Sequence, residues 1–152
     1  MNVLVDTNIL TRSTEPGHSH YQPSRMAVAA LRLRGHTLCV VPQNLYEFWV
    51  VCTRPTAVNG LGKTAAETVT ELVGLKTFFS FLADTPAVCS AWEQLVAATG
   101  VLGKAAHDAR FVAAMQTHGV THLLTFNDAD FRRYQGITVM TPAEVLSPSP
   151  PL

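Results

Sequence analysis

The sequence predicts an α/β fold with three layers, α/β/α, built around a parallel sheet of about five strands. Short apolar runs alternate with helical segments almost throughout the 152 residues. Parallel strands are covered on both faces by helices, which agrees with the continuously apolar character of these runs. Apolar residues make up 47% of the chain, enough for one hydrophobic core. We expect a single domain over residues 1–146 and a flexible, proline-rich tail over 147–152.

The first half of the chain contains two predicted strands and three predicted helices. Met26, Ala30 and Leu33 recur at helical spacing, and Thr64 and Glu67 have the spacing of a capping box at a helix start. Strands are predicted for short apolar or β-branched runs, and prolines and glycines mark the breaks. The expected elements are a strand at 3–5, a helix at 23–34, a strand at 37–41, a helix at 42–53, a loop at 54–63 and a helix from 64.

The second half continues the alternation. Thr85 and Pro86 form a helix start, Gly119 a helix stop, and Thr141 with Glu144 a second capping box. The expected elements are a strand at 78–82, a helix from 86 to about 100, a helix at 104–118, strands at 122–125 and 137–140, and a short helix after 141. In such folds ligands bind outside the carboxyl ends of the strands.

The amino-acid composition limits the kinds of function that this protein can have. Eleven Lys and Arg balance eleven Asp and Glu, so contact with nucleic acid would require a local basic patch. Cys39, Cys52 and Cys89 lack metal-ligand spacing and are predicted to be reduced, buried thiols. Neither a signal peptide nor an apolar run of the ~20 residues that span a bilayer is visible, so we expect a cytoplasmic protein without a membrane segment.

Acidic residues are scarce, and three of them stand in unusual places. Asp6 ends the first strand, where Thr7 and Asn8 could cap the next helix and hold the Asp6 carboxylate. Glu47 and Asp108 each lie in an otherwise apolar helical segment, where an unpaired charge is costly. The predicted sheet allows all three to converge on one cleft. Taken singly, each also has an ordinary explanation as a helix cap, a surface residue or a charge at a helix N-terminus.

A further polar cluster follows the fourth predicted strand. Asn127, Asp128 and Asp130 lie there, and Lys104 and Arg110 are too few to neutralise four converging carboxylates. A hard divalent cation, Mg²⁺ or Mn²⁺, would balance this charge and could activate water against a phosphodiester. Whether one ion or two would bind stays open. Asp130 could instead be an ordinary turn residue.

Four segments, in this order and spacing, resemble the four motifs of the PIN-domain nucleases: Val3–Leu10, Asn44–Glu47, His107–Ala114 and Leu123–Phe131. The resemblance extends from Met1 to about Leu146, and the size of the chain is similar to that of VapC-type toxins of VapB–VapC pairs. It implies a PIN-like fold and an Mg²⁺-dependent endoribonuclease, often acting on tRNA or rRNA. It also implies inhibition by a VapB-type antitoxin and a homodimer.

The resemblance also implies roles for individual residues. Asp6, Glu47 and Asp108 match the first three acids of the family, and Asp130 best matches the fourth, with Asp128 as a competing metal ligand. Asn44 matches the residue that supports the second acid. The implied supporting or substrate-binding residues are Thr7, Asn8, Asn44, Thr125, Asn127, Lys104 and Arg110.

Two other functions stay open at this point. The first is a non-catalytic PIN-fold module that binds RNA or protein. Loss of acidic residues from the motifs would indicate such a module, yet all four motif regions retain them. An aspartyl phosphotransferase would need a second carboxylate near Asp6, where Val5 and Asn8 stand instead. Basic residues near the motifs could form a phosphate track or be ordinary solvated surface: Arg12, Lys63, Lys104, Arg110, Arg132 and Arg133.

Overall fold

A parallel sheet forms the centre of the protein. The structure is a computed structural model, and it describes residues 1–149. Within this range its five strands are β1 (Asn2–Val5), β2 (Thr37–Val40), β3 (Ser80–Phe81), β4 (His122–Leu124) and β5 (Thr138–Met140). Their order across the sheet is β3-β2-β1-β4-β5, and each strand runs parallel to its neighbours. The predicted parallel α/β fold is therefore confirmed.

Helices cover both faces of the sheet. They are α1 (Thr7–Arg12), α2 (Tyr21–Leu33), α3 (Pro42–Thr53), α4 (Ala65–Phe78), α5 (Pro86–Thr99), α6 (Ala105–Thr117), α7 (Asp128–Phe131) and α8 (Pro142–Val145), with a 3₁₀ turn at Thr56–Val58. Successive strand residues point to opposite faces, so Val3 and Val5 pack in one core cluster while Leu4 packs in the other. The first cluster includes residues of α1, α2 and α3, and the second includes residues of α5 and α6.

The chain order across the sheet positions a crevice at the end of β1. From β1 the chain moves to β2 on one side, and β4 lies on the other side of β1. The connections on either side of such a strand diverge, which opens a crevice at its carboxyl end. Asp6 lies at this point, and its backbone N–H donates to the carbonyl of Leu124 at 2.9 Å.

Most predicted elements are found near their expected positions, and both capping boxes are confirmed by reciprocal hydrogen bonds. The apolar stripe on α2 is an exception. Met26 is 54% exposed and Leu33 is 89% exposed, whereas Ala27 and Leu31 are buried. The helix is present, but a different face packs on the sheet, since Ala27 and Leu31 join the core cluster beneath it.

Two further expectations need correction. Thr7 and Asn8 do not cap the helix after β1; they lie inside its first turn, with Asp6 at the N-cap position. Cys39 and Cys52 are buried free thiols as predicted, but Cys89 is exposed because it lies on a solvent-facing side of α5. The predicted tail lies partly outside the described residues, which end at Ser149. No helix within them is both long and apolar enough to cross a membrane.

Candidate active site

A groove of about 1230 Å³ lies beyond the carboxyl end of β1. Its lining includes Asp6 after β1, Glu47 on α3 and Asp108 on α6, three acids that are far apart in sequence. Asn127 also lines the groove, whereas neither Asp128 nor Asp130 does. The structure thus brings together three of the acids proposed from the sequence and leaves the fourth region at the margin.

Asp6 is held by side chains from two neighbouring elements. Its side-chain oxygen Oδ2 accepts hydrogen bonds from Asn8 Nδ2 at 2.9 Å and from Thr125 Oγ1 at 2.6 Å. Thr125 directly follows β4, and Asn8 Nδ2 also donates to Thr125 Oγ1 at 3.1 Å. Asp6 is only 7% exposed. This network gives the carboxylate a defined orientation at the bottom of the groove.

Glu47 is oriented by donors on both of its oxygens. Thr7 Oγ1 donates to Oε2 at 2.8 Å, and Gln43 Nε2 donates to Oε1 at 2.7 Å. Sequence reasoning did not single out Gln43. The available signal was its position four residues before Glu47, because residues at that spacing meet on one side of a helix.

Asn44 supports Glu47 indirectly. Its Oδ1 accepts the backbone N–H of Val41 at 2.8 Å, and its Nδ2 donates to the carbonyl of Val5 at 2.9 Å and to Thr7 Oγ1 at 3.3 Å. These bonds join the start of α3 to the end of β1. Asn44 therefore fixes the helix and the threonine that in turn hold Glu47.

Asp108 lies half-buried in the first turn of α6. Burial raises its pKa, and the negative charges of Asp130 and Glu47 raise it further, while His107 and Lys104 oppose the rise. Asp130 is thus close enough to Asp108 to act on it electrostatically, although Asp130 itself is exposed on α7.

The acids in the groove form one electrostatic unit. Burial raises the pKa of Asp6 to about 6; the hydrogen bond from Thr125 works against this rise, and the charges of Glu47 and Asp108 add to it. The four ion pairs of residues 1–149 involve none of these three acids. Like charges that face one another in a partly dry groove favour the binding of a cation.

Asp128 is drawn away from this unit. Its carboxylate accepts from Arg132 Nε at 2.8 Å and from Nη2 at 2.5 Å, and these bonds lower its pKa. Arg132 is one helical turn away, and both of its hydrogen bonds fall on Asp128 Oδ2. Of the two candidates for the fourth acid, Asp130 is the one whose charge acts on Asp108, and Asp128 is paired with Arg132.

The acids of the groove do not form a compact cluster of metal ligands within the described residues. Among residues 1–149, no three His, Cys, Asp or Glu side chains are arranged to hold a metal ion together. The donor set nevertheless suits Mg²⁺, which keeps several waters and is commonly bound through only one or two carboxylates. The oxygens of Asp6, Glu47 and Asp108 are hard ligands of the kind this ion prefers.

The basic residues divide into two groups. Arg12, Lys104 and Arg110 line the groove, together with Arg54, which the sequence interpretation did not include. Lys63 forms an ion pair with Glu71 outside the groove. Arg132 and Arg133 are absent from the lining as well. Of the two readings left open for these basic residues, a phosphate track could include only the groove-lining members.

Comparison with known proteins decides the family. A family model described as the PIN domain matches residues 3–137, nearly the whole described chain. The chain belongs to the PIN domain family. The central parallel sheet and the position of Asp6 at its crevice agree with this membership. No protein of curated function matches the chain in sequence.

Solved structures of VapBC proteins resemble this PIN domain. VapBC2 from Rickettsia felis bound to a promoter DNA fragment has 15% identity and a TM-score of 0.65, with 93% of this chain and 98% of that chain covered. VapBC-1 from nontypeable Haemophilus influenzae has 15% identity, a TM-score of 0.67 and the same coverage. Mycobacterium tuberculosis VapC20, a Sarcin-Ricin loop cleaving toxin, has 18% identity and a TM-score of 0.62 over 85% of this chain and 92% of that chain. At these identities the similarity establishes a shared fold.

Proposed function

We propose that this PIN domain is a divalent-metal-dependent endoribonuclease and the toxin of a type II toxin–antitoxin pair. One observation carries the proposal: the buried carboxylate of Asp6 faces Glu47 and Asp108 across one groove, and among the described residues none of the three is paired with a cation. A hydrolytic phosphodiesterase that uses Mg²⁺, with Mn²⁺ as a substitute, needs such a set of acids.

The proposed roles follow from how each side chain is held. Asp6 and Asp108 would bind the ion, while Glu47 and Asp130 would orient water beside it. When bound, the ion would supply positive charge at the phosphodiester and make water more acidic. Both side-chain hydrogen bonds to Asp6 fall on Oδ2, so within residues 1–149 Oδ1 is not engaged by a side chain. Thr7 and Thr125 hold the acids in position before substrate arrives.

RNA of the tRNA or rRNA class is the proposed substrate. The groove has a volume suited to a polynucleotide segment, and Arg12, Arg54 and Lys104 in its lining can contact phosphates. The structural similarity to VapC20, which is described as cleaving the Sarcin-Ricin loop, supports this substrate class.

A VapB-type antitoxin is the proposed partner, together with a second copy of the chain, in the cytoplasm. The similar structures from Rickettsia felis and Haemophilus influenzae are VapBC proteins. Apolar side chains on α3 and α4 are exposed in the single chain, as expected for surfaces that partners cover. They are Tyr46, Val50, Val69, Val73 and Phe78.

The proposal is tested with antitoxin-free protein and total RNA, with Mg²⁺, Mn²⁺ or EDTA added. We expect cleavage that requires the divalent ion and is lost in Asp6→Asn, because the substitution removes a charge without changing volume. Glu93→Gln removes an exposed acid on α5 outside the groove and serves as the matched control. Cleavage that persists in EDTA or in Asp6→Asn would contradict the mechanism.

A non-catalytic PIN-fold module that binds RNA or protein is the second candidate. It is favoured by the absence, within residues 1–149, of a preformed three-ligand metal cluster. Such a module would bind RNA without cutting it at any ion concentration. Gel-shift and cleavage assays on the same RNA, run in parallel with Mn²⁺, distinguish the two candidates.

A further inference from the structure

Gln43 connects two of the acid-bearing helices through one amide group. Its side chain is 5% exposed, near the start of α3. The amide nitrogen Nε2 donates to Glu47 Oε1 at 2.7 Å and to the backbone carbonyl of His107 at 2.9 Å. That carbonyl belongs to the peptide bond between His107 and Asp108. One nitrogen atom therefore joins the Glu47 carboxylate directly to the backbone that carries Asp108.

The orientation of this amide is set by Arg110, which lines the groove and is paired with Asp84. Arg110 Nη1 donates to Gln43 Oε1 at 3.3 Å, and Arg110 Nη2 donates to Asp84 Oδ2 at 2.6 Å. Rotation of the amide by half a turn would place its oxygen against two acceptors, Glu47 and the His107 carbonyl, and its nitrogen against the guanidinium. Arg110 therefore selects the orientation in which Gln43 donates to Glu47.

Arg110 itself reaches the acids only through Gln43. Its ion-pair partner within residues 1–149 is Asp84, and neither Asp6, Glu47 nor Asp108 receives a hydrogen bond from it there. Arg110, expected from the resemblance to be a supporting or substrate-binding residue, thus contacts Gln43 rather than an acid of the groove. The charged guanidinium of Arg110 donates to the Gln43 amide, and this amide in turn donates to the Glu47 carboxylate.

We propose that Gln43 is a positioning residue that fixes the separation of Glu47 and Asp108, and that Arg110 acts through it. We call the series of hydrogen-bonded side chains Asp84–Arg110–Gln43–Glu47 the Gln43 relay. The inference rests on the proposed metal-dependent function, because its purpose is to hold the water-orienting Glu47 at a fixed position relative to Asp108, which would bind the ion. Positions of such groups must be held to within roughly 0.5 Å, and loss of a partner behind a ligand typically weakens metal affinity by about 10–100-fold.

The test is a double-mutant cycle read by Mn²⁺ affinity, measured calorimetrically on the full chain without RNA. Gln43→Met keeps the volume and removes both donors; Arg110→Gln removes the guanidinium. We expect Gln43→Met to weaken Mn²⁺ binding by about 10-fold or more, and Arg110→Gln by a smaller factor. The double variant should bind like Gln43→Met alone, because Arg110 has no separate route to the acids.

Lys63→Gln breaks an ion pair outside the groove and is the matched control, with Mn²⁺ affinity expected to equal that of the wild type. Arg110→Lys retains one cationic donor and should lie closer to the wild type than Arg110→Gln. If Gln43→Met fails to fold, the two variants of the partly exposed Arg110 carry the test.

The outcomes separate the relay from the function on which it rests. Unchanged Mn²⁺ affinity in folded Gln43→Met, or losses that add in the double variant, would overturn the relay while the nuclease proposal stands. A wild-type protein that binds no Mn²⁺ and cleaves no RNA would overturn both. Where cleavage is measurable, kcat should fall more than KM rises in Gln43→Met, since the relay positions acids rather than substrate.

Discussion

Removing the negative charge at Asp6 should stabilise the metal-free protein, and the gain should depend on pH. The pKa of this buried carboxyl is raised from 3.8 to about 6, so the folded state retains a proton that the unfolded chain releases. Between these two values stability falls as pH rises, since the folded state binds more protons. One pKa unit corresponds to about 1.4 kcal/mol, so the full loss by neutral pH is of order 3 kcal/mol.

This effect is measured by urea unfolding in EDTA at pH 4 and at pH 7.5. The readout is the difference in the free energy of unfolding between wild type and Asp6→Asn. We expect the two proteins to be similar at pH 4 and the variant to be more stable by up to about 3 kcal/mol at pH 7.5. Taking the difference cancels other acids, among them Glu67 and Asp128, whose lowered pKa values act in the opposite direction. Excess Mg²⁺ should shrink the gap by stabilising the wild type.

The control for this experiment is Glu93→Gln, which should match the wild type at both pH values because Glu93 is exposed and outside the groove. A pH-independent difference, or an Asp6→Asn variant less stable than the wild type at pH 7.5, would refute the reasoning. A pH-independent difference would mean that the hydrogen bonds from Thr125 and Asn8 offset the cost of burying the charge, and a less stable variant would mean that they outweigh it.

Three further predictions concern single side chains. Thr7→Val removes the donor to Glu47 Oε2 and should reduce RNA cleavage about 10-fold while the far-ultraviolet circular dichroism spectrum stays unchanged. Phe48→Ala empties a fully buried site between α3 and the sheet and should lower the free energy of unfolding by about 3–5 kcal/mol, measured by urea titration. Arg132→Gln releases Asp128 at an exposed position, so Mn²⁺-dependent cleavage should equal that of the wild type; a loss would indicate that this ion pair supports the site.

Local patterns were the most reliable guide to the fold. The Thr64 and Thr141 capping boxes lie within four residues of chain, and both are present as predicted. The apolar run before Asp6 forms the central strand because a buried parallel strand needs nothing but apolar neighbours on both faces. The apolar stripe of α2 misled because a neighbouring set of small and apolar residues, Ser24, Ala27, Val28 and Leu31, has the same helical spacing and forms the buried face.

Asn8, Thr125 and Thr7, which the sequence analysis named as supporting residues, donate to the acids, but the contacts of Gln43 and Arg110 were beyond the reach of sequence reasoning. Gln43 meets Glu47 within one helix, but its second acceptor is 64 residues away at His107. Arg110 stands two residues after Asp108 and lines the groove, and its ion-pair partner, Asp84, is 26 residues earlier in the chain. A long polar side chain can form hydrogen bonds of similar energy with several partners. Which partner it contacts depends on the relative positions of the helices.

The residue order alone was enough for the α/β class, the alternation of strands and helices, and the candidate acids Asp6, Glu47 and Asp108. These features depend on contacts between near neighbours in the chain or on residue chemistry that is costly to bury. Packing in three dimensions was needed to pair Asp128 with Arg132, to join Gln43 to two helices, and to show that the acids stand without a three-ligand cluster in residues 1–149. Such distances depend on how the helices pack against the sheet. This packing is determined by many weak contacts, which no short segment of the sequence encodes.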